Sequence, residues 1–245
     1  MAYLSDFTWN SDNTVTVDKI AYKPKKITGM RFAAVLGLNP FDSPFGAWCE
    51  LTRTAPKPFE RTAAMVAGEV IEPKLLDFAR SKARLSIIEP ADIWGRDYKN
   101  ATNYDFFPED PIFGGMWDAR IQDKGVVVGI LEAKTSSNPV MWKDEVPEAY
   151  ALQAQLYAYL SGCFYYHFVV GFMEPEYIEK PKLFVPDDDN TIICHGRVED
   201  DFAEKLRLAR NWYEIHVKDG GVSPKYDEGR DAQYLGLLSE RKPRP

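Results

Sequence analysis

"GILEAKTSS", residues 129–137, puts Glu132 and Lys134 at the end of a run that otherwise reads as a buried strand. Val126, Val127, Val128 and Ile130 are β-branched and show no polar alternation, the pattern of a strand covered on both faces. Residues two apart on a strand point to the same face, so the carboxylate and the ammonium stand side by side in apolar surroundings. Burying such charges costs on the order of several kcal/mol per ion unless something compensates them. The sequence must therefore supply a partner.

The preceding segment, "FGGMWDARI" (113–121), predicts a second strand, joined to 126–135 through Asp123-Lys124-Gly125. Three residues ending in glycine suit a hairpin loop. With the hairpin centred on Lys124, Asp118 falls opposite Ile130 and diagonal to Glu132, at the ~7–8 Å typical of diagonal neighbours. Two carboxylates at that spacing can close on a shared cation. Mg²⁺ takes oxygen ligands at ~2.1 Å and keeps positions open for water and phosphate oxygens. A cation also accounts for the proximity and burial, because bare paired carboxylates repel or protonate. Lys134, on the same face, is placed to hold an attacking water or to stabilise charge on a phosphorane. A surface hairpin with an ordinary Glu–Lys pair has the same spacing.

The rest of the chain predicts an α/β plan around a mixed central β-sheet, within one domain spanning 1–245. Helical spacing of Met65, Ile71, Leu75, Leu76 and Phe78 predicts a helix over 60–83. A second helix is expected over 144–162, with Pro147 in its first turn and Gly162 as its stop, followed by a strand over 163–173. Residues 182–196 read as two strands around the acidic turn "DDDN", and 200–221 as a long amphipathic helix. Phe45 and Trp48 read as core. His167, His195 and His216 have no metal-pair spacing.

Composition narrows the function classes. Hydrophobic residues at 45% and charged residues at 27% are ordinary globular values. No run reaches the ~18 apolar residues of a membrane span, and "MAYLSDFTWNSDN" lacks the pattern of a signal peptide. Cys49, Cys163 and Cys194 are scattered with no C-x-x-C, which fits a cytoplasmic setting and argues against a cysteine-bound zinc or iron–sulfur site. A net charge of −7 disfavours DNA attraction over the whole surface but leaves room for a local basic groove.

Five segments together resemble the YqaJ and lambda-exonuclease-like viral recombinase family of the PD-(D/E)XK nucleases. They are "ITGMRFAAVLGLNPFDSPFGAWCELT" (27–52), "AGEVIEPKLLDFA" (67–79), "FFPEDPIFGGMWDARI" (106–121), Glu132-Ala133-Lys134 followed by "QAQLY" (153–157), and "GVSPKYDEGRDAQYLGLL" (221–238). The resemblance implies a restriction-endonuclease-like core. It implies a Mg²⁺-dependent exonuclease, with Mn²⁺ able to substitute, that degrades linear double-stranded DNA from 5′ ends for recombination. Asp118, Glu132 and the carbonyl of Ala133 would hold the metal, Lys134 would be the catalytic lysine, and Glu72 would sit near a second metal ion. Gln153 would orient nucleophile or substrate, with Tyr157 towards the DNA. Gln155 and Tyr159 repeat the Q-x-x-x-Y spacing, so either glutamine could face the site.

In lambda-type exonucleases a basic residue just before I-T meets the 5′ phosphate, which implies Lys25 or Lys26, with Thr28 and Arg31 beside it. Met30 stands where that family usually has a serine. The resemblance further implies a ring-shaped homotrimer, a single-strand annealing protein as partner, and a phage or prophage gene expressed in a bacterial host. Two other readings compete. One is a RecB-type, CRISPR-associated-like nuclease without an iron–sulfur cluster. The other is a catalytically inactive DNA-binding subunit on the same fold.

Overall fold

The computed structural model describes residues 7–17, 23–58, 60–84, 86–218 and 221–240. The first elements are β1 (Phe7–Trp9), β2 (Val15–Val17), β3 (Ile27–Thr28), α1 (Met30–Val35), α2 (Pro44–Thr52) and α3 (Ala63–Lys82). Then come β4 (Ser86–Ile88), α4 (Pro90–Trp94), α5 (Tyr98–Ala101), β5 (Phe113–Gly114), β6 (Ala119–Asp123) and β7 (Val126–Ser136). The chain continues through α6 (Glu148–Leu160), β8 (Tyr165–Phe172), α7 (Pro175–Glu179), β9 (Thr191–Arg197), α8 (Phe202–Tyr213) and α9 (Ala232–Ser239). These elements group into two compact units, one of residues 60–107 and 115–199, the other of the remaining segments.

The unit of 60–107 and 115–199 is built on a five-stranded mixed sheet in the order β4-β6-β7-β8-β9. Only β7 and β8 run parallel, and α6 is the crossover that parallel pairing requires. Along β7, Leu131 and Ala133 join a core with Ile71, Leu75, Leu76 and Ala79 of α3, and with Val169 and Phe184. Burying side chains the size of leucine or isoleucine contributes about 1.5–3 kcal/mol each. The alternate residues Ile130, Glu132 and Lys134 therefore face the other side, where their register partners Phe168 and Val170 pack with Trp142 and Ala154. The expectation of a strand covered on both faces, read from Val126, Val127, Val128 and Ile130, holds only over Gly129–Ala133, all buried; Val126 is exposed and Val127 and Val128 are half-buried.

Helix α3 starts where Thr62 accepts a hydrogen bond from the Met65 backbone N–H at 3.2 Å, and carries Arg80 and Lys82 in its last turn, where they complement the helix dipole. Pro73 lies inside it on the exposed side, leaving one carbonyl without its helical partner. Of the residues read as its apolar stripe, Ile71, Leu75 and Leu76 are buried and Phe78 packs partly against them, whereas Met65 is exposed.

Three expected elements differ from the structure. The strand expected over 113–121 is broken into β5 and β6 by residues 115–118. Gly115 has φ 132°, and a Cβ there would meet the Tyr157 ring and hydroxyl at 2.6 Å, so the chain turns where only glycine fits. The helix expected from 144 begins at Glu148, because proline at 147 disfavours helical backbone at the residue before it. Of the two strands expected in 182–196, only β9 forms. Lys74 Nζ takes the carbonyls of Lys182 and Phe184 at 2.7 Å each, acceptors that a neighbouring strand would otherwise use. The acidic turn between them is real: Asp187 Oδ1 accepts from the backbone of Asp189 and Asn190.

The other unit holds the β1–β2 antiparallel ribbon, the short parallel pair β3–β5, and helices α1, α2, α8 and α9. Phe45 and Trp48 are fully buried, as expected of core residues, and the Trp48 indole donates to the His216 carbonyl at 2.8 Å. Helix α8 continues as a π-turn over Glu214–Lys218, and residues 219–220 of the expected helix lie outside the described residues.

Candidate metal and nucleic-acid site

The β6–β7 hairpin sets which acidic groups meet. Its loop is two residues, not three: Lys124 and Gly125 have φ of 49° and 84°, the left-handed pair of a tight hairpin turn, and Asp123 pairs with Val126. A register shift between Ile121 and Gln122 leaves Val128 as the extra residue of a bulge. Each feature moves the pairing by one residue relative to a hairpin centred on Lys124. Arg120 consequently lies opposite Ile130 and Ala119 opposite Leu131. One step further, Asp118 comes level with Glu132, which corrects the diagonal placement expected from sequence. The residue diagonal to Glu132 is Arg120.

Asp118 sits just past the end of β6, and its Oδ2 accepts a 2.8 Å hydrogen bond from the Ala133 backbone N–H. An extended residue sends its N–H and C=O to the same side, so the Ala133 carbonyl is directed the same way. Glu132 is 1% exposed. Its Oε2 accepts from Lys134 Nζ at 2.9 Å and from Gln153 Nε2 at 2.8 Å. Its Oε1 is buried and has no hydrogen-bond partner among the described residues. Lys134 keeps 21% of its side chain exposed, the open side of the notch.

The electrostatics follow from that crowding. Burial pushes the Glu132 carboxyl up to about 8; Lys134 pulls it down, and Asp118 adds to the rise. Glu72, from α3, is pushed up to about 7 by burial and then by the charge of Asp118. Burial opposes the charge on Lys134, but Glu132 and Asp118 outweigh it and hold its pKa above the usual lysine value. Asp118, Glu132, Lys134 and Glu72 therefore act on one another, and the crowding of three carboxyls favours the protonated form of both glutamates until another cation joins Lys134.

Among the described residues no three His, Cys, Asp or Glu side chains converge closely enough to hold a metal ion by themselves. A hard cation such as Mg²⁺ needs fewer protein donors, one or two carboxylates with waters filling the rest. Asp118, the unpartnered Oε1 of Glu132 and the Ala133 carbonyl fit that donor set. An orphaned buried carboxylate oxygen costs free energy until a cation or proton meets it.

Residues 20–164 match the family described as the YqaJ-like viral recombinase domain. The chain belongs to that family. This YqaJ-like chain is 27% identical to the uncharacterized protein MG373 of Mycoplasma genitalium, with 86% of each chain covered. It is 25% identical to the Mycoplasma pneumoniae homologue of that protein, over 80% of this chain and 82% of the other. Among solved structures it is similar to the alkaline exonuclease LHK-Exo from Laribacter hongkongensis, with a TM-score of 0.54 and 16% identity over 90% of this chain and 95% of that one. It is also similar to a phage-related exonuclease from Haemophilus somnus, with a TM-score of 0.53 and 12% identity over 89% and 96%. The likeness at these identities is one of fold, and the fold is the mixed α/β, PD-(D/E)XK-type core expected from the sequence.

The remaining predicted residues of the YqaJ-like chain fall in different places. Gln153 meets Glu132, whereas Gln155 is buried and pairs with Glu199, donating to Oε1 at 3.3 Å and accepting from the Glu199 N–H at 2.9 Å. That resolves which glutamine faces the acidic notch. Tyr157 is 4% exposed, packed against Gly115 and stacked on Phe107, a packing position and not a surface one. In the other unit, Arg31 donates to Thr28 Oγ1 at 3.3 Å, and Lys25 and Arg31 lie 3.5 and 3.7 Å from Glu50 Oε2. Glu50 thus draws on part of the basic cluster's charge. Lys26 is half-buried.

Sequence reading passed over Arg120 and Glu50. Arg120 could have been found from its spacing, two residues after Asp118 on the strand that pairs with Glu132. Nothing local marks Glu50, which meets Arg31 only through the packing of α1 on α2.

Proposed function

We propose that residues 1–245 act as one exonuclease domain that hydrolyses linear double-stranded DNA from 5′ ends, using Mg²⁺ or Mn²⁺. The observation that carries this reading is the buried Oε1 of Glu132, without a hydrogen-bond partner among the described residues, beside Asp118 and Lys134, a position that a divalent cation can fill in place of a proton. Asp118, Glu132 and the Ala133 carbonyl would hold a divalent cation, with Glu72 near a second, and the bound cation would supply Lewis acidity towards a phosphoryl oxygen and a water. Gln153 fixes the Glu132 carboxylate in one orientation. Lys134 offers its ammonium to a phosphoryl oxygen or to the attacking water, stabilising negative charge as it develops. Lys25, Lys26, Thr28 and Arg31 take the 5′ phosphate.

End-labelled linear duplex incubated with protein and Mg²⁺ tests the reading directly. Release of label from linear DNA, none from covalently closed circles, and none in EDTA is the expected pattern. Nicking of closed plasmid would replace the exonuclease with an endonuclease. The assembly that suits processive action is a homotrimer around the duplex, acting in the bacterial cytoplasm with a single-strand annealing protein that receives the exposed strand. Light scattering should then find about three times the 27.9 kDa chain mass.

A further inference from the structure

Beside the acidic notch lies an aromatic cluster that neither hydrolysis nor the hydrophobic cores of the sheet account for. Trp94, at the end of α4, stacks on Phe106 with ring centroids 4.5 Å apart and an interplanar angle of 23°. Phe106 in turn lies 4.7 Å from Trp117, and Trp117 is buried. Trp94 keeps 37% of its surface exposed and its neighbour Ile93 38%, so the indole is clamped from behind and open in front. A rigid, half-open indole is a poor way to fill a core. It is a good surface for stacking.

The cluster is tied to the acidic groups by the chain itself. Trp117 immediately precedes Asp118, and Arg120 is diagonal to Glu132 across the hairpin. The Arg120 guanidinium lies 4.6 Å from the Trp117 ring and 5.8 Å from that of Trp94, with its Nε buried and unpartnered among the described residues. Tyr98, whose ring is 6.1 Å from Phe106, lies within electrostatic reach of Glu72 and Asp118. Arg96 and Lys99 are exposed on the same segment, interleaved with exposed Asp92 and Asp97.

We propose that Trp94, backed by Phe106, Trp117 and Arg120, is a stacking platform for an unpaired nucleobase at the DNA end being hydrolysed. An aromatic face backed by a guanidinium, on a segment of mixed charge, suits a π-faced ligand more than it suits a bare anion. Within a duplex the base faces are covered, so only a frayed or single-stranded nucleotide can present one. Stacking of this kind tolerates any base, which suits an enzyme that must proceed through every sequence. The proposal rests on the nuclease reading, because it takes the occupant of the neighbouring notch to be DNA.

The test uses the full chain in the Asp118→Asn background, which should bind DNA without cutting it. Fluorescence polarisation would compare labelled duplexes with blunt ends and with short unpaired ends, for the parent, Trp94→Ala, Trp94→Phe and Trp94→Leu. Stacking predicts that Trp94→Ala and Trp94→Leu weaken binding to unpaired ends about 5- to 150-fold while Trp94→Phe keeps most of it. Should Trp94→Ala fail to fold, the Phe and Leu pair carries the comparison, since both remain bulky and apolar and only one has a π-face. Equal affinities across the variants would overturn the platform. So would an equal loss of binding to heparin, which is anionic but has no bases. Cleavage by the otherwise wild-type enzyme separates the two claims. Active enzyme whose KM ignores Trp94 sinks the platform alone, whereas no cleavage with Trp94-dependent binding sinks the nuclease reading and leaves the platform standing.

Discussion

Gln153, on α6, donates from Nε2 to Glu132 Oε2 at 2.8 Å. Lys134 donates to that same oxygen, and the second oxygen of Glu132 has no hydrogen-bond partner among the described residues. The two donors together hold the carboxylate so that one oxygen is spoken for and the other is free for a cation.

Replacing Gln153 with alanine should cut activity or metal affinity about 10- to 100-fold, the usual effect of losing a group that orients a metal ligand. Gln155→Ala should behave differently. It removes the hydrogen bonds between α6 and exposed Glu199, worth about 0.5–1.5 kcal/mol each in stability, while turnover per folded molecule is kept. Metal titrations of activity and thermal melts of both variants separate the two roles.

Asp118→Asn, Glu132→Gln and Lys134→Ala should each lower cleavage by at least ~10²–10³-fold, the scale seen when one charge-stabilising group is removed. In EDTA, Glu132→Gln should melt higher than the parent, because a neutral amide relieves a buried acid without removing its bulk. Parental turnover in any of the three would mean that the site has been placed wrongly.

Stability of the metal-free protein should fall as pH rises from about 4.5 towards 8. Unfolded glutamates titrate near ~4.3, whereas folded Glu72 and Glu132 hold their protons up to about 7 and about 8. Between those limits the folded chain binds more protons than the unfolded one, so raising the pH favours unfolding. Lys134 stays charged in both states across this window and adds no slope. Thermal melts from pH 5 to 8 in EDTA should show the decline, saturating Mg²⁺ should flatten it, and Glu132→Gln should reduce it.

Glu50→Gln should tighten binding to 5′-phosphorylated duplex, because Lys25 and Arg31 would no longer share their charge with a carboxylate. The gain should be several-fold at most, since such half-exposed pairs are worth about 0.2–1 kcal/mol. Lys25→Ala and Arg31→Ala should weaken binding and flatten its salt dependence. Titrations at two salt concentrations check both signs.

What could be read from the residues alone was whatever is written in adjacent positions. Alternation put Glu132 and Lys134 on one face of β7, because side-chain direction on a strand repeats every two residues, whereas the β-branched run marked burial correctly only at Ile130 and not at exposed Val126. The apolar spacing of Ile71, Leu75 and Leu76 marked α3 in the same local way. The level at which Asp118 meets Glu132 was not readable, since a bulge at Val128 and a two-residue turn each displaced the pairing by one. Gln153 and Gln155 are equivalent by spacing and were told apart only by the rotation of α6 over the sheet, which turns one towards Glu132 and the other towards Glu199. The shifted acidities of Glu72 and Glu132 belong to the same category, because desolvation depends on what packs around a carboxyl and not on its neighbours in the chain.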